Sequence, residues 1–154
     1  MKRVLLASAV AAVFVLPGSA ISSSTELSSE MSAKRGSFNI AFDVFTRNGK
    51  PKKVGFFEYD HAPVTCETGG PLEIDGTGFG IDESGPNGPA KVEDKKFSKT
   101  YAGTSGGGGE TSQKFTGKFK NQNQKVEGTL RVKGDFPNNS ATNCDSGKIN
   151  YTAD

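Results

Sequence analysis

Residues 111–136 alternate apolar and polar positions in two runs joined by a polar turn. In the first run Phe115, Gly117 and Phe119 share one parity, while Lys114, Thr116, Lys118 and Lys120 share the other. In the second, Val126, Gly128, Leu130 and Val132 oppose Lys125, Glu127, Thr129, Arg131 and Lys133. Successive side chains of a strand point to opposite faces, so this alternation predicts strands with one buried and one wet face. Asn121, Gln122, Asn123 and Gln124 carry no apolar group. Asparagine accepts the left-handed backbone of tight turns, so the whole segment predicts a β-hairpin.

The same rhythm starts at Ser37, where Phe38, Ile40, Phe42 and Val44 alternate with Asn39, Ala41, Asp43 and Phe45. Asn48-Gly49 follows, a dipeptide that supplies both positive-φ positions of a two-residue hairpin turn. The return run, residues 52–66, is apolar on both parities around Val54, Phe56, Phe57 and Tyr59. That predicts either a central strand or a bulge that shifts the facing. Pro63 lacks an N–H and confines the later part to an edge or a bend. Residues 67–91 are rich in glycine, with Phe79 and Ile81 as the strand anchors. Val92 before a charged turn, and Phe97 with Tyr101 after it, predict two more short strands, and residues 103–110 read as a mobile loop. Ile149 and Tyr151 share one face of a last strand.

No helical period interrupts these runs. The expected fold is therefore all-β, with about eight antiparallel strands in a meander-like barrel and a β-sandwich as the alternative. Up to about ten phenylalanines, each stabilising by roughly 1.5–3 kcal/mol when buried, supply most of the core.

Composition changes the picture at the N-terminus. Residues 1–20 combine Lys2 and Arg3, an apolar run and the small residues Gly18 and Ala20, the pattern of a secretory signal peptide cleaved near Ala20. Residues 21–36 are serine-rich with little periodicity and read as a flexible arm, leaving 37–154 as a single β domain. The leader holds two of the 19 basic residues and none of the 17 acidic ones, so the mature chain balances at 17 to 17. That removes the bulk-charge case for a nucleic-acid or anionic-membrane partner. No later apolar stretch is long enough to span a bilayer. The expected product is a secreted or extracytoplasmic monomer. In such an oxidising compartment Cys66 and Cys144, the only cysteines, are expected to form a disulfide.

The candidate chemistry is sparse, and no cofactor is expected. Asp60-His61 is the one place where a carboxylate neighbours an imidazole, as a general base with an orienting partner requires. Adjacent strand residues point apart, however, and no nucleophile motif accompanies them. Asp75, Asp82 and Glu83 place hard oxygen ligands in the glycine-rich segment, which makes them calcium candidates, although their spacing matches no calcium loop. The glycines at 106–109 lack the Lys-Ser or Lys-Thr of a phosphate cradle. Lys114, Lys118, Lys120, Lys125, Arg131 and Lys133 form a basic face whose phenylalanines point inward, so it offers no stacking platform for nucleic acid. Asn138 and Asn150 begin glycosylation-type sequons.

Val54 with the aromatics after it, Cys66-x-x-Gly69, the Val92-to-Phe97 hairpin, Phe115-Thr-Gly117-Lys-Phe, Val126-Glu-Gly128-Thr-Leu, Cys144-Asp-Ser-Gly147 and the closing Tyr151-Thr-Ala follow one another in an order that resembles a group of small exported proteins of bacteria, mostly Gram-positives with GC-rich genomes. The resemblance spans roughly residues 36–153. It implies a disulfide-closed antiparallel β fold and carries no activity with it. Tyrosine stands where a tryptophan often ends the last strand of that group, and the middle is unusually rich in glycine. Avidin-like and lipocalin barrels share the strand rhythm, but both use a tryptophan near the first strand and this chain has none. The leading functional expectation is a non-catalytic binding module. It would present residues 67–91 and 102–110 as loops around a barrel mouth for a small apolar or glycan ligand, or bind an envelope component. The second is a structural or envelope-interaction protein with a filled core, and a hydrolase using His61 ranks last.

Overall fold

The structure, a computed structural model, describes residues 27–78 and 87–154. The leader, residues 21–26 of the arm, Phe79 and Ile81 lie outside the described residues. The strands are β1 (Leu27–Arg35), β2 (Phe38–Arg47), β3 (Lys50–Thr65), β4 (Pro71–Gly78), β5 (Ala90–Lys91), β6 (Lys96–Thr104), β7 (Glu110–Lys120), β8 (Lys125–Phe136), β9 (Ala141–Asp145) and β10 (Ile149–Ala153). All pair antiparallel in one sheet, in the order β1-β2-β3-β9-β8-β7-β6, with β4 and β5 also on β3 and β10 also on β8. The all-β expectation holds. Among the described residues the strands form one sheet whose pairing does not close into a ring.

The turns follow the sequence chemistry. Asn48 and Gly49 take φ values of 54° and 67° and join β2 to β3, and Asn121, Gln122 and Asn123 are all left-handed between β7 and β8. The mixed parity of β3 is a double bulge. Pairing with β2 slips between Ala41 and Asp43, opposite Phe56, and pairing with β4 slips between Tyr59 and Ala62. The first slip turns Phe56 outward, 43% exposed, while Val54, Phe57 and Tyr59 all face the core. Pro63 lies where β4 pairs on one side, beyond the last pair with β2 at Asp60, so its missing N–H interrupts no ladder.

Two expectations are corrected. The serine-rich arm is a strand over Leu27–Arg35, in continuous register with β2 from Leu27↔Thr46 to Arg35↔Phe38. Its backbone is satisfied by the ladder although Met31 is the one side chain it is seen to bury. Residues 103–110 are the paired ends of β6 and β7 with a tight turn at 105–109 between them. Ser105 N–H donates to the Gly109 carbonyl (2.8 Å) and Gly108 N–H to the Ser105 carbonyl (3.0 Å), while Ser105 Oγ reaches the Asp135 carbonyl at 2.6 Å. The supposed loop at 67–91 likewise contains β4 and β5. Both pair with the side of β3 turned away from β2, so they lie along one edge line.

The sheet folds over so that its two halves share one core. Phe42 of β2 lies 5.2 Å from Phe115 of β7 and 5.9 Å from Tyr151 of β10, and Phe57 of β3 lies 4.7 Å from Phe115 and 5.0 Å from Tyr101 of β6. Such rings fill the interior, with Phe42, Phe57, Phe115 and Phe119 essentially inaccessible. Glycine makes this packing fit. Tyr59 pairs with Gly76, Phe57 with Gly78, Phe97 with Gly117 and Tyr151 with Gly128. In each pair a Cβ on the glycine would strike the partner ring. Each large ring therefore lies over the bare backbone of the neighbouring strand, as inward aromatics do where glycine leaves space.

Candidate functional site

The residues singled out for chemistry do not converge. His61 sits on the second bulge with φ 54°, exposed beside the exposed Asp60, and its backbone N–H donates to Asp75 Oδ1 at 2.8 Å. Asp75 thus satisfies the bulge, a backbone role rather than a catalytic one. Of the calcium candidates only Asp75 can be placed, since Asp82 and Glu83 lie outside the described residues. Among those residues no group of three or more His, Cys, Asp or Glu side chains could hold a metal ion. The glycines at 106–109 form the β6–β7 turn, with Gly109 packed on the Asp135 carbonyl and Asn138 against Gly106 and Gly107. The Asn138 sequon is therefore folded into a turn contact, whereas Asn150 is exposed on β10.

The basic face is broken up by acid. Lys120 pairs with Glu127 at 3.1 Å and Lys133 with Asp145 at 3.3 Å. Arg131 grips Asp145 with both ends of its guanidinium, Nε to Oδ1 at 2.9 Å and Nη2 to Oδ2 at 2.5 Å. That Arg131 fork first of all, then the Gly147 N–H, holds the Asp145 carboxyl well below the usual carboxylate range. A depressed carboxylate stabilises the fold above its unfolded pKa of about 4, and the contribution fades as pH falls through the native value. Asp145→Asn is accordingly expected to melt about 3 °C below wild type at neutral pH. Thermal scans from neutral to strongly acidic pH should show the gap narrowing below about pH 4. An equal gap at every pH would assign the loss to packing instead.

A concave feature that meets the free edges of two strands lies between β4 and β6. The edge line of β4 and β5 comes together with β6 at the Glu93↔Lys96 bridge, and a cleft of about 650 Å³ lies along residues 73–78 of β4, 101–104 of β6 and the turn residues Ser105 and Gly106. Its inner wall carries Tyr59, Tyr101 and Gln113. Tyr101 and Gln113 face each other in the β6–β7 register, and the Tyr101 hydroxyl and Gln113 Oε1 are closed to solvent without a hydrogen-bond partner. An unmatched buried polar atom of this kind costs about 1–3 kcal/mol. Burial pushes the Tyr101 phenol up to about 12 and raises Tyr59 as well, with Asp75 adding to the latter. Both phenols therefore stay neutral, and among the described residues Glu73 and Asp75 are the only charged side chains on the lining. Glu73 Oε1 accepts a hydrogen bond from Ser37 Oγ at 3.2 Å.

Sequence reasoning passed over this cleft because its walls are strand edges and glycines, which look like loop in a linear reading. The usable signal was glycine at core-facing strand positions, Gly76 and Gly78 opposite Tyr59 and Phe57. On the outer face Phe56 leans on Phe45 at 5.8 Å, a two-ring patch too small to mark a site. Among the described residues no helix is long and apolar enough to cross a membrane. The Cys66–Cys144 disulfide is closed, in keeping with an oxidising compartment. Comparisons of the chain with protein-family profiles, curated proteins and solved structures found no match.

Proposed function

We propose that the chain is an exported, non-catalytic interaction domain, a filled β body that engages an envelope or extracellular protein through the cleft between β4 and β6. The observation that carries this reading is the filled interior. Phe115, 0% exposed, is ringed by Phe42, Phe57, Phe97 and Tyr151 within 5.6 Å, so aromatic rings occupy the space around it where a lipid chain would have to lie. The tyrosines of the cleft wall are themselves buried, Tyr59 at 2% and Tyr101 at 3% exposure, so neither ring face is free to stack on a sugar. What the cleft offers instead is strand backbone with two carboxylates at its rim. The amino-terminal leader and the disulfide favour export.

Any molecule that binds the native state raises its melting temperature by mass action. The mature, oxidised protein is expected to show no shift with fatty acids, neutral glycans or calcium, and an upward shift with peptides. A reproducible rise with an apolar ligand or a sugar, and none with peptides, would replace this reading with that of a small-ligand carrier.

A further inference from the structure

Resting on that reading, we propose that the cleft accepts an extended basic peptide of the partner as an added β-strand, hydrogen-bonded to β4 and β6. Among the described residues β4 pairs only with β3, and β6 pairs in a ladder only with β7. The far edge of each therefore presents N–H and C=O groups that no strand takes up, the template for strand addition. Both cleft walls include strand edges, residues 73–78 of β4 on one side and 101–104 of β6 on the other. Six residues of extended chain measure about 20 Å, a length that a short peptide can follow. Gly103 on the β6 wall carries no side chain, so another chain can approach its backbone closely.

The charge of the occupant follows from the lining. Glu73 and Asp75 are exposed at the rim, no described lining residue is cationic, and both tyrosines stay neutral. An edge marked in this way repels a second copy of itself, because antiparallel pairing of two β4 edges would bring carboxylates together. It attracts lysine or arginine. In an added strand, alternate side chains point to opposite faces, so basic residues of one parity meet Glu73 and Asp75. Side chains of the other parity point away from these carboxylates and need no charge.

The test titrates the mature, oxidised protein with three capped octapeptides: alternating lysine and valine, the same with glutamate for lysine, and the lysine form N-methylated at alternate amides. Affinity is read by fluorescence anisotropy and contact by amide hydrogen exchange. The lysine–valine peptide is expected to bind and to slow exchange across residues 76–78 and 103–105 by at least about tenfold. N-methylation, or Glu73→Lys in the protein, is expected to weaken binding by about tenfold or more, and the glutamate peptide to bind far less. Equal binding of the N-methylated peptide would overturn strand addition while leaving the interaction reading intact. Absence of binding by the lysine–valine peptide up to about 1 mM would overturn the proposal itself. A glycan that slows the same amides when no peptide does would bring down the interaction reading with it.

Discussion

Phe115→Ala is expected to remove about 3–5 kcal/mol of stability, the range for truncating a buried phenylalanine, and to lower the melting temperature by roughly 10–20 °C. The reason lies in where the ring sits. Phe115 is at the middle of β7, 0% exposed, and touches rings from both halves of the folded sheet: Phe42 and Phe57 on one side, Phe97 and Tyr151 on the other. The ring is held between strands whose hydrogen-bonded neighbours cannot close the gap, so little of the cavity can be recovered by collapse. A urea titration checks the claim, because the midpoint should fall while the slope stays constant if only the native state is weakened. Phe56→Ala serves as the contrast. That ring is 43% exposed at a bulge with φ 48°, and its loss should change stability by no more than about 0.5 kcal/mol. Similar losses from both variants would mean that the core is not organised around Phe115.

The parts of the fold that could be read from sequence are those in which one residue's chemistry decides its own conformation. Asn48-Gly49 specifies a two-residue turn through its backbone preferences, and β7 and β8 reveal themselves by strict alternation, because each has one face in the core and one in water. β1 was hidden for the opposite reason. Its nine residues are held by the ladder to β2, and hydrogen bonds between main chains leave no trace in side-chain composition. The glycines opposite Phe57, Tyr59, Phe97 and Tyr151 were legible only as small residues in a strand pattern. Their meaning depends on which strand lies alongside, and the alignment of Gly76 with Tyr59 across the β3–β4 bulge is a property of register, not of either segment alone. The cleft belongs to this second kind of information. Asp75 looked like a metal ligand in isolation, yet once the bulge at His61 is formed its carboxylate caps a backbone N–H. The candidate site thus moved from side-chain clusters to strand edges, which are defined by the pairing that is missing.

Replacing both cysteines, Cys66→Ala with Cys144→Ala, is expected to cost roughly 4.5 kcal/mol on the loop-entropy account, for a bridge spanning 78 residues of sequence. The topology makes that constraint matter more than the number alone suggests. The half built from β1 to β5 is hydrogen-bonded to the half built from β6 to β10 where Asp154 N–H meets the Ser32 carbonyl at 3.3 Å beside β1, and where β3 meets β9, a ladder of a single pair, Thr65↔Asp145, extended by the Thr68↔Thr142 bridge. The disulfide lies at this seam, with Cys66 directly after β3 and Cys144 within β9. Small domains are stable by only about 5–15 kcal/mol in total, so the bridgeless protein should sit near the margin, with a melting temperature roughly 15 °C or more below the oxidised form. Hydrogen exchange should show the loss first at the Glu67 and Thr142 amides, which bond across the seam at 3.1 Å and 3.3 Å, while exchange within the β7–β8 hairpin changes less. Uniform acceleration throughout the chain would fit a purely unfolded-state effect of the crosslink. A cost below about 1 kcal/mol would mean that the shared aromatic core, and not the covalent tie, keeps the two halves together.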